Sequence, residues 1–249
     1  MKKKVMGHDA IIDTLVDHLQ IHFAAKKRDL NAVLPFFVIA ASAFASVGAG
    51  ELAKQLGIFL FGALKYYALM GMEKYPASWH AEKLKGSPAG YVGSGDESDY
   101  AKIYRETDGR GVFHMDNAHM GFPGIYKQLL SAVGAGGTGY VEVTGSEGRV
   151  VKIPLGDYIM WLSGRFGMYA RSEEELEKNK AVMKKMAAFL REKASGNRSA
   201  EDILFHELNR IGRQMTVNGL RLFFPPEVLN RPSVPEGFFY VGLPHADEA

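Results

Sequence analysis

LNAVLPFFVIAASAFASVGAG, from Leu30 to Gly50, carries no charged residue, and its reading decides the fold. After a polar break at Glu51 to Gln55 the apolar character resumes through Met72 and meets Glu73. Ser42, Ser46 and Gly50 fall four apart, as do Ala41, Ala45 and Ala49, a spacing that lets helices approach closely in membranes and in soluble cores alike. Two readings follow: the buried centre of a helical lobe, or a membrane hairpin over residues 30–72. At roughly 1.5 Å per residue the run just spans a ~30 Å hydrocarbon core. Lys26, Lys27 and Arg28 stand before it, where a positive-inside flank belongs. Lys54 and Lys65 interrupt the second segment, and a lysine at bilayer depth costs ~2.5 kcal/mol or more unless it snorkels. A buried apolar helical pair is therefore the preferred expectation.

Composition narrows the function classes. At 249 residues, 47% apolar and 23% charged, the chain has ordinary globular composition. Its 30 basic and 28 acidic residues leave a net charge of +2, without the basic excess of nucleic-acid binders, so no DNA or RNA function is expected. The absence of cysteine excludes disulfides, thiolate metal sites and a cysteine nucleophile. Met1-Lys2-Lys3-Lys4 has the charge of a signal-peptide start, but Gly7-His8-Asp9 follows where an apolar run should begin. No cleavable signal is read, which places the chain in the cytoplasm as synthesised, with membrane association or another export route left open.

The pattern along the chain predicts an α+β protein, mainly helical, as a single globular unit over 1–249. Its parts are a helical lobe at about 9–75, a long irregular connection at about 76–111 and a mixed α/β part at about 112–249. Asp9 caps a helix carrying Ile12, Leu15, Val16, Leu19 and Phe23 on one face. Pro76, Pro88 and the Gly93 to Asp96 run mark the connection, with a short helix near Tyr100 to Arg105. A helix is predicted at about Gly124 to Val133, then a β-hairpin from Tyr140 to Val143 and Val150 to Ile153, the core of a small antiparallel sheet. Asp157 to Tyr169 reads as helix, Ser172 and Glu175 as a capping box, and Ser199 as the cap of a further helix. Asn218-Gly219 signals a second hairpin, and Phe238 to Val241 a strand.

Several candidate motifs reduce to structural readings. Gly134 to Gly139 fits G-x-G-x-x-G, but it follows a helix and precedes a strand, the reverse of a dinucleotide loop. His206-Glu207 is half of a zincin motif, with Arg210 in place of the second histidine, on a solvated helix face. His18 and His22 are one helical turn apart, a two-ligand geometry with no third ligand fixed locally. His114, Asp116 and His119 concentrate three polar ligands among glycines and form a candidate metal-dependent hydrolase centre.

The passage from Asp108 through Gly111, His114 and Asp116 to His119 resembles the glycine-led segment of goose-type lysozymes and lytic transglycosylases, with His114 where glutamine is usual. In those families a catalytic glutamate closes a buried helix upstream, and here Glu73 closes the second apolar segment. The resemblance implies a glycosidase acting on a cell-wall-like polysaccharide such as peptidoglycan, with no cofactor. Independently, if Ile58 to Lys74 is one helix, Phe59, Gly62, Tyr66, Leu69 and Met70 lie within about 60° of Glu73. Burial on that face would raise its pKa toward that of a general acid. Asp116 in a polar loop would stay ionised as its partner. Tyr66, Trp79, Arg110, His114 and His119 are the candidate substrate contacts, and Glu51 and Glu106 are rival acids. The membrane-docked hairpin and the metal-dependent hydrolase are the competing functions.

Overall fold

A computed structural model of the chain describes residues 1–2, 4–5, 7–28, 36–43, 48–86, 96–133, 138–145, 149–194, 198–224, 226–229 and 238–243. Its strands are β1 (Phe36–Ala41), β2 (Tyr67–Gly71), β3 (Gly111–Asp116), β4 (Tyr140–Thr144), β5 (Val150–Pro154), β6 (Tyr158–Gly164) and β7 (Phe239–Tyr240). Five of them form a parallel sheet in the order β2-β3-β6-β1-β7, and β4 and β5 form a separate antiparallel pair.

The uncharged run is where sequence and structure part most sharply. Phe36-Phe-Val-Ile-Ala-Ala41 is a strand with every residue buried, paired with β6 on one side and β7 on the other. A parallel strand covered on both faces has no polar side, so it reads as an unbroken apolar stretch and periodicity cannot tell it from a buried helix. Phe36, Val38 and Ala40 join Val112, Ile159 and Trp161 against helices α1 (Asp9–Arg28) and α2 (Ala49–Phe61). Phe37, Ile39 and Ala41 point the other way, into a second core with Phe113, Met115, Met160 and Leu162. That side is closed by α3 (His80–Lys85), α4 (Asp99–Glu106), α5 (Pro123–Val133), the β4–β5 hairpin and the end of α7 (Arg198–Phe223).

The expected helix from Ile58 to Lys74 is absent. Gly62, at φ 80, ends α2 in the left-handed region, where its N–H caps Ile58 O at 2.9 Å. The chain then makes a 3-10 turn at Leu64–Tyr66, enters β2, and makes another at Met72–Lys74. The apolar helical pair and the membrane hairpin over 30–72 are thus replaced by strand, helix and strand. Among the described residues no helix is long and apolar enough to cross a membrane.

Elsewhere the local signals resolve in both directions. The helix at α5 and the β4–β5 hairpin form as read, and Ser172 Oγ accepts from Glu175 N–H at 3.2 Å at the start of α6 (Glu173–Ala194). Asp157 to Tyr169 is mostly β6, a second strand buried on both faces. The Asn218-Gly219 turn signal lies inside α7. A Cβ on Gly219 would collide with the carbonyl oxygen of Phe166, so this glycine serves close helix packing rather than a turn. Residues 93–95 and 134–137 of the two glycine-rich motifs lie outside the described residues.

Candidate functional site

In open parallel sheets, ligands bind beyond the carboxyl ends of the strands, at the point where the strand order reverses. Here that point is β1: its onward connection through α2 leads to the far edge strand β2, while β7 pairs on its other side. Strand, loop and helix at such a place form the position of a phosphate-binding loop, whose pattern is G-x-x-x-x-G-K-[ST]. The sequence there is Ala43-Phe-Ala-Ser-Val-Gly48-Ala49-Gly50, of which residues 44–47 lie outside the described residues. Gly48 keeps the second glycine, at φ 90, directly before α2. Ala43, Ala49 and Gly50 stand where the first glycine, the lysine and the hydroxyl residue would be. Glu51 adds a negative charge to the first turn of α2.

Beneath α2 three strands bring four polar side chains together in a row. Ser163 Oγ on β6 donates to Asp116 Oδ1 on β3 at 2.6 Å. His114 Nε2 lies 2.7 Å from Ser163 Oγ, and His114 Nδ1 lies 2.8 Å from the hydroxyl of Tyr67 on β2. The strand registers explain the grouping: Leu69, His114 and Trp161 are opposite one another, so Tyr67, His114, Asp116 and Ser163 all lie on the face under α2. His114 is 1% exposed, and burial drives its pKa down to about 4 although Asp116 pulls it upward. Burial pushes Tyr67 up to about 12. The ring of His114 is neutral near pH 7.

The other expected site residues divide between the two ends of the sheet. Glu73 stands on the 3-10 turn after β2, where Asn117 Nδ2 donates to its Oε2 at 3.4 Å. Its side chain is exposed and lies on no apolar helix face, contrary to the expectation for a buried acid. His119 accepts from the N–H of Arg165 at 3.3 Å and lies edge-on to Phe166; burial, aided by Arg165, lowers its pKa to about 4. Tyr66 and Arg110 meet at the opposite end, where Arg110 Nη2 donates to the Tyr66 hydroxyl at 2.9 Å. At ~3.3 Å per residue they are about 20 Å from Asp116 along β3. Trp79 is 71% exposed on the approach to α3 and stacks on His80 at 5.5 Å. Glu51 starts α2, and Glu106 ends α4 in solvent.

These placements do not assemble a hydrolytic metal centre. Among the described residues no three metal-ligating side chains converge, since both ring nitrogens of His114 already bond to hydroxyls and His119 braces Arg165. His22 packs edge-on to Phe36, and His206 is exposed on α7. Sequence reasoning missed Tyr67, Ser163 and the Gly48 loop. A strand-length apolar run followed by small residues and an amphipathic helix was the available signal for the loop.

The fold and its crevice define a class: a parallel sheet, helices on both faces, with a phosphate-loop position between first strand and helix. No family model matches the sequence. Among curated proteins the chain is 26% identical over 220 residues to chaperone protein ClpB 1 of Thermosynechococcus vestitus, covering 84% of this chain and 23% of that one. It is 25% identical over 225 residues to ClpB of Staphylococcus aureus, covering 88% and 24%. Two solved structures share the fold at 18% identity. One is closed-state Hsp104 with ATPγS and FITC casein, at TM-score 0.57 over 93% of this chain and 33% of that one. The other is the S. cerevisiae Hsp104–ADP complex, at TM-score 0.59 over 98% and 35%. The chain spans about a quarter of the length of the curated relatives it matches.

These similarities overturn the lysozyme-like reading and, with it, the polysaccharide substrate, the membrane-inserting function and the metal-dependent hydrolase. The twelve or so residues behind the lysozyme resemblance run into β3, an interior strand, instead of lining a cleft. Nucleotide is present in both Hsp104 structures, but the donor set of this chain does not fit it. A phosphate loop uses its lysine on the β- and γ-phosphates and its Ser/Thr on Mg²⁺. Ala49 and Gly50 supply neither group.

Proposed function

We propose that this chain is a protein-handling module of the ClpB/Hsp104 chaperone type, one that engages polypeptide and does not itself hydrolyse ATP. Similarity to chaperones over more than four-fifths of the chain, by sequence and by fold, supports the first half of this reading. The same source supports polypeptide as the substrate class, since that Hsp104 structure includes casein. The observation that carries the second half is the pair Ala49 and Gly50 at the start of α2. Phosphoryl transfer is almost wholly a matter of positioning and charge stabilisation, so an enzyme without the lysine and the metal-holding hydroxyl has lost its main means of catalysis.

Binding of fluorescein-labelled casein, followed by anisotropy in nucleotide-free buffer, tests the reading. Saturable binding that unlabelled casein displaces is the expected result. No change in anisotropy up to the solubility limit of the chain would remove the protein-handling function.

A further inference from the structure

Hydrogen positions in the crevice are fixed by elimination. Ser163 gives its only proton to Asp116, so its oxygen accepts from His114 Nε2–H. His114 Nδ1 is then the acceptor, and the Tyr67 hydroxyl donates to it. The four side chains form one directed chain, Tyr67 to His114 to Ser163 to Asp116, in which every donor is used. It ends on Asp116, at the end of the strand two places from β1. In phosphate-loop enzymes an aspartate beside the loop holds Mg²⁺ together with the loop's Ser/Thr. Directly above, a Cβ on Gly50 would stand 3.3 Å from His114 Cε1, tighter than an ordinary carbon contact. A side chain at position 50 would press on the imidazole, and one of the two would have to give by a few tenths of an ångström.

From this juxtaposition we infer that His114 closes the crevice to Mg²⁺-nucleotide. The ring excludes the metal-holding side chain, and through Ser163 it engages the carboxylate that would face the ion. Gly50 and His114 are a matched pair, small above and large below. The network also ties β2, β3 and β6 together, running from Tyr67 at the start of β2 through His114 to Ser163 and Asp116 near the carboxyl ends of β6 and β3. The inference rests on the phosphate-loop relationship of the proposed function, but its test does not involve casein.

A fluorescent ATP analogue with Mg²⁺ is titrated into the full chain and its anisotropy read. The natural chain is expected to show no saturable binding up to millimolar nucleotide, and Ala49→Lys with Gly50→Thr to show none either. Adding His114→Val to that pair makes room beneath position 50 and should give saturable binding at least about tenfold stronger, abolished by EDTA. Saturable EDTA-sensitive binding by the natural chain would overturn the inference. So would a folded triple variant that fails to bind, or a double variant that binds as well as the triple one. If the triple variant does not fold, the natural chain and the double variant still decide the matter. Casein binding with closed-crevice behaviour absent would sink this inference alone, and the reverse result would sink only the protein-handling function.

Discussion

His114 shows how much a single side chain depends on strands distant in sequence. Its pKa of about 4 lies below the ordinary value of 6.5 because burial penalises the charged ring. The unfolded chain therefore binds the additional proton between those two values, so stability is fully present above pH 6.5 and falls as pH drops toward 4. Urea denaturation at pH 7 and pH 5 should show the loss, and His114→Leu should flatten that dependence, with His119 leaving a residual slope of the same sign. An unaltered slope in the variant would refute the assignment. Ser163→Ala leaves the Nε2–H of His114 buried without its acceptor, and should lower stability at pH 7 by roughly 1–3 kcal/mol. His114 and Asp116 are conspicuous in the sequence as polar residues among glycines. Tyr67 and Ser163 are not, because only the sheet register brings four residues from three strands onto one face.

At the scale of elements, α7 and β1 show why local reading succeeds in one place and fails in another. Amphipathic helices such as α1 and the β4–β5 hairpin reveal themselves because one side meets water and the other the core. The strands β1 and β6 meet protein on both faces, which erases that contrast. Gly219 presents the opposite problem, a strong turn signal whose cause is tertiary. Gly219→Ala gains up to about 1 kcal/mol in helix propensity, yet the new methyl meets the Phe166 carbonyl where the chain leaves β6. Overpacking of this kind costs typically about 1–3 kcal/mol. A net loss of stability in chemical denaturation is expected, whereas Asn218→Ala, exposed on the same helix, should stay within about 0.5 kcal/mol. Equal stability of Gly219→Ala and the natural chain would show that α7 does not pack as described.

For the whole molecule, the parallel sheet explains why a search for a cleft acid leads astray. Glu73 and Asp116 do reach the same edge, but they do so as strand-end residues of β2 and β3 rather than as walls of a carbohydrate groove. The fold instead aligns with chaperones of the ClpB and Hsp104 type, while the residues that would grip phosphate and metal are replaced by Ala49, Gly50 and a closed polar network. On the proposed reading, a chain with this fold and without those groups handles polypeptide without turnover. The direct test is a single sample of purified chain with labelled casein, Mg²⁺ and ATP, in which anisotropy and phosphate release are read together. The account predicts saturable casein binding, unchanged by ATP, with phosphate release no faster than in buffer alone. Casein binding that requires ATP, accompanied by phosphate release that Asp116→Asn abolishes, would contradict it.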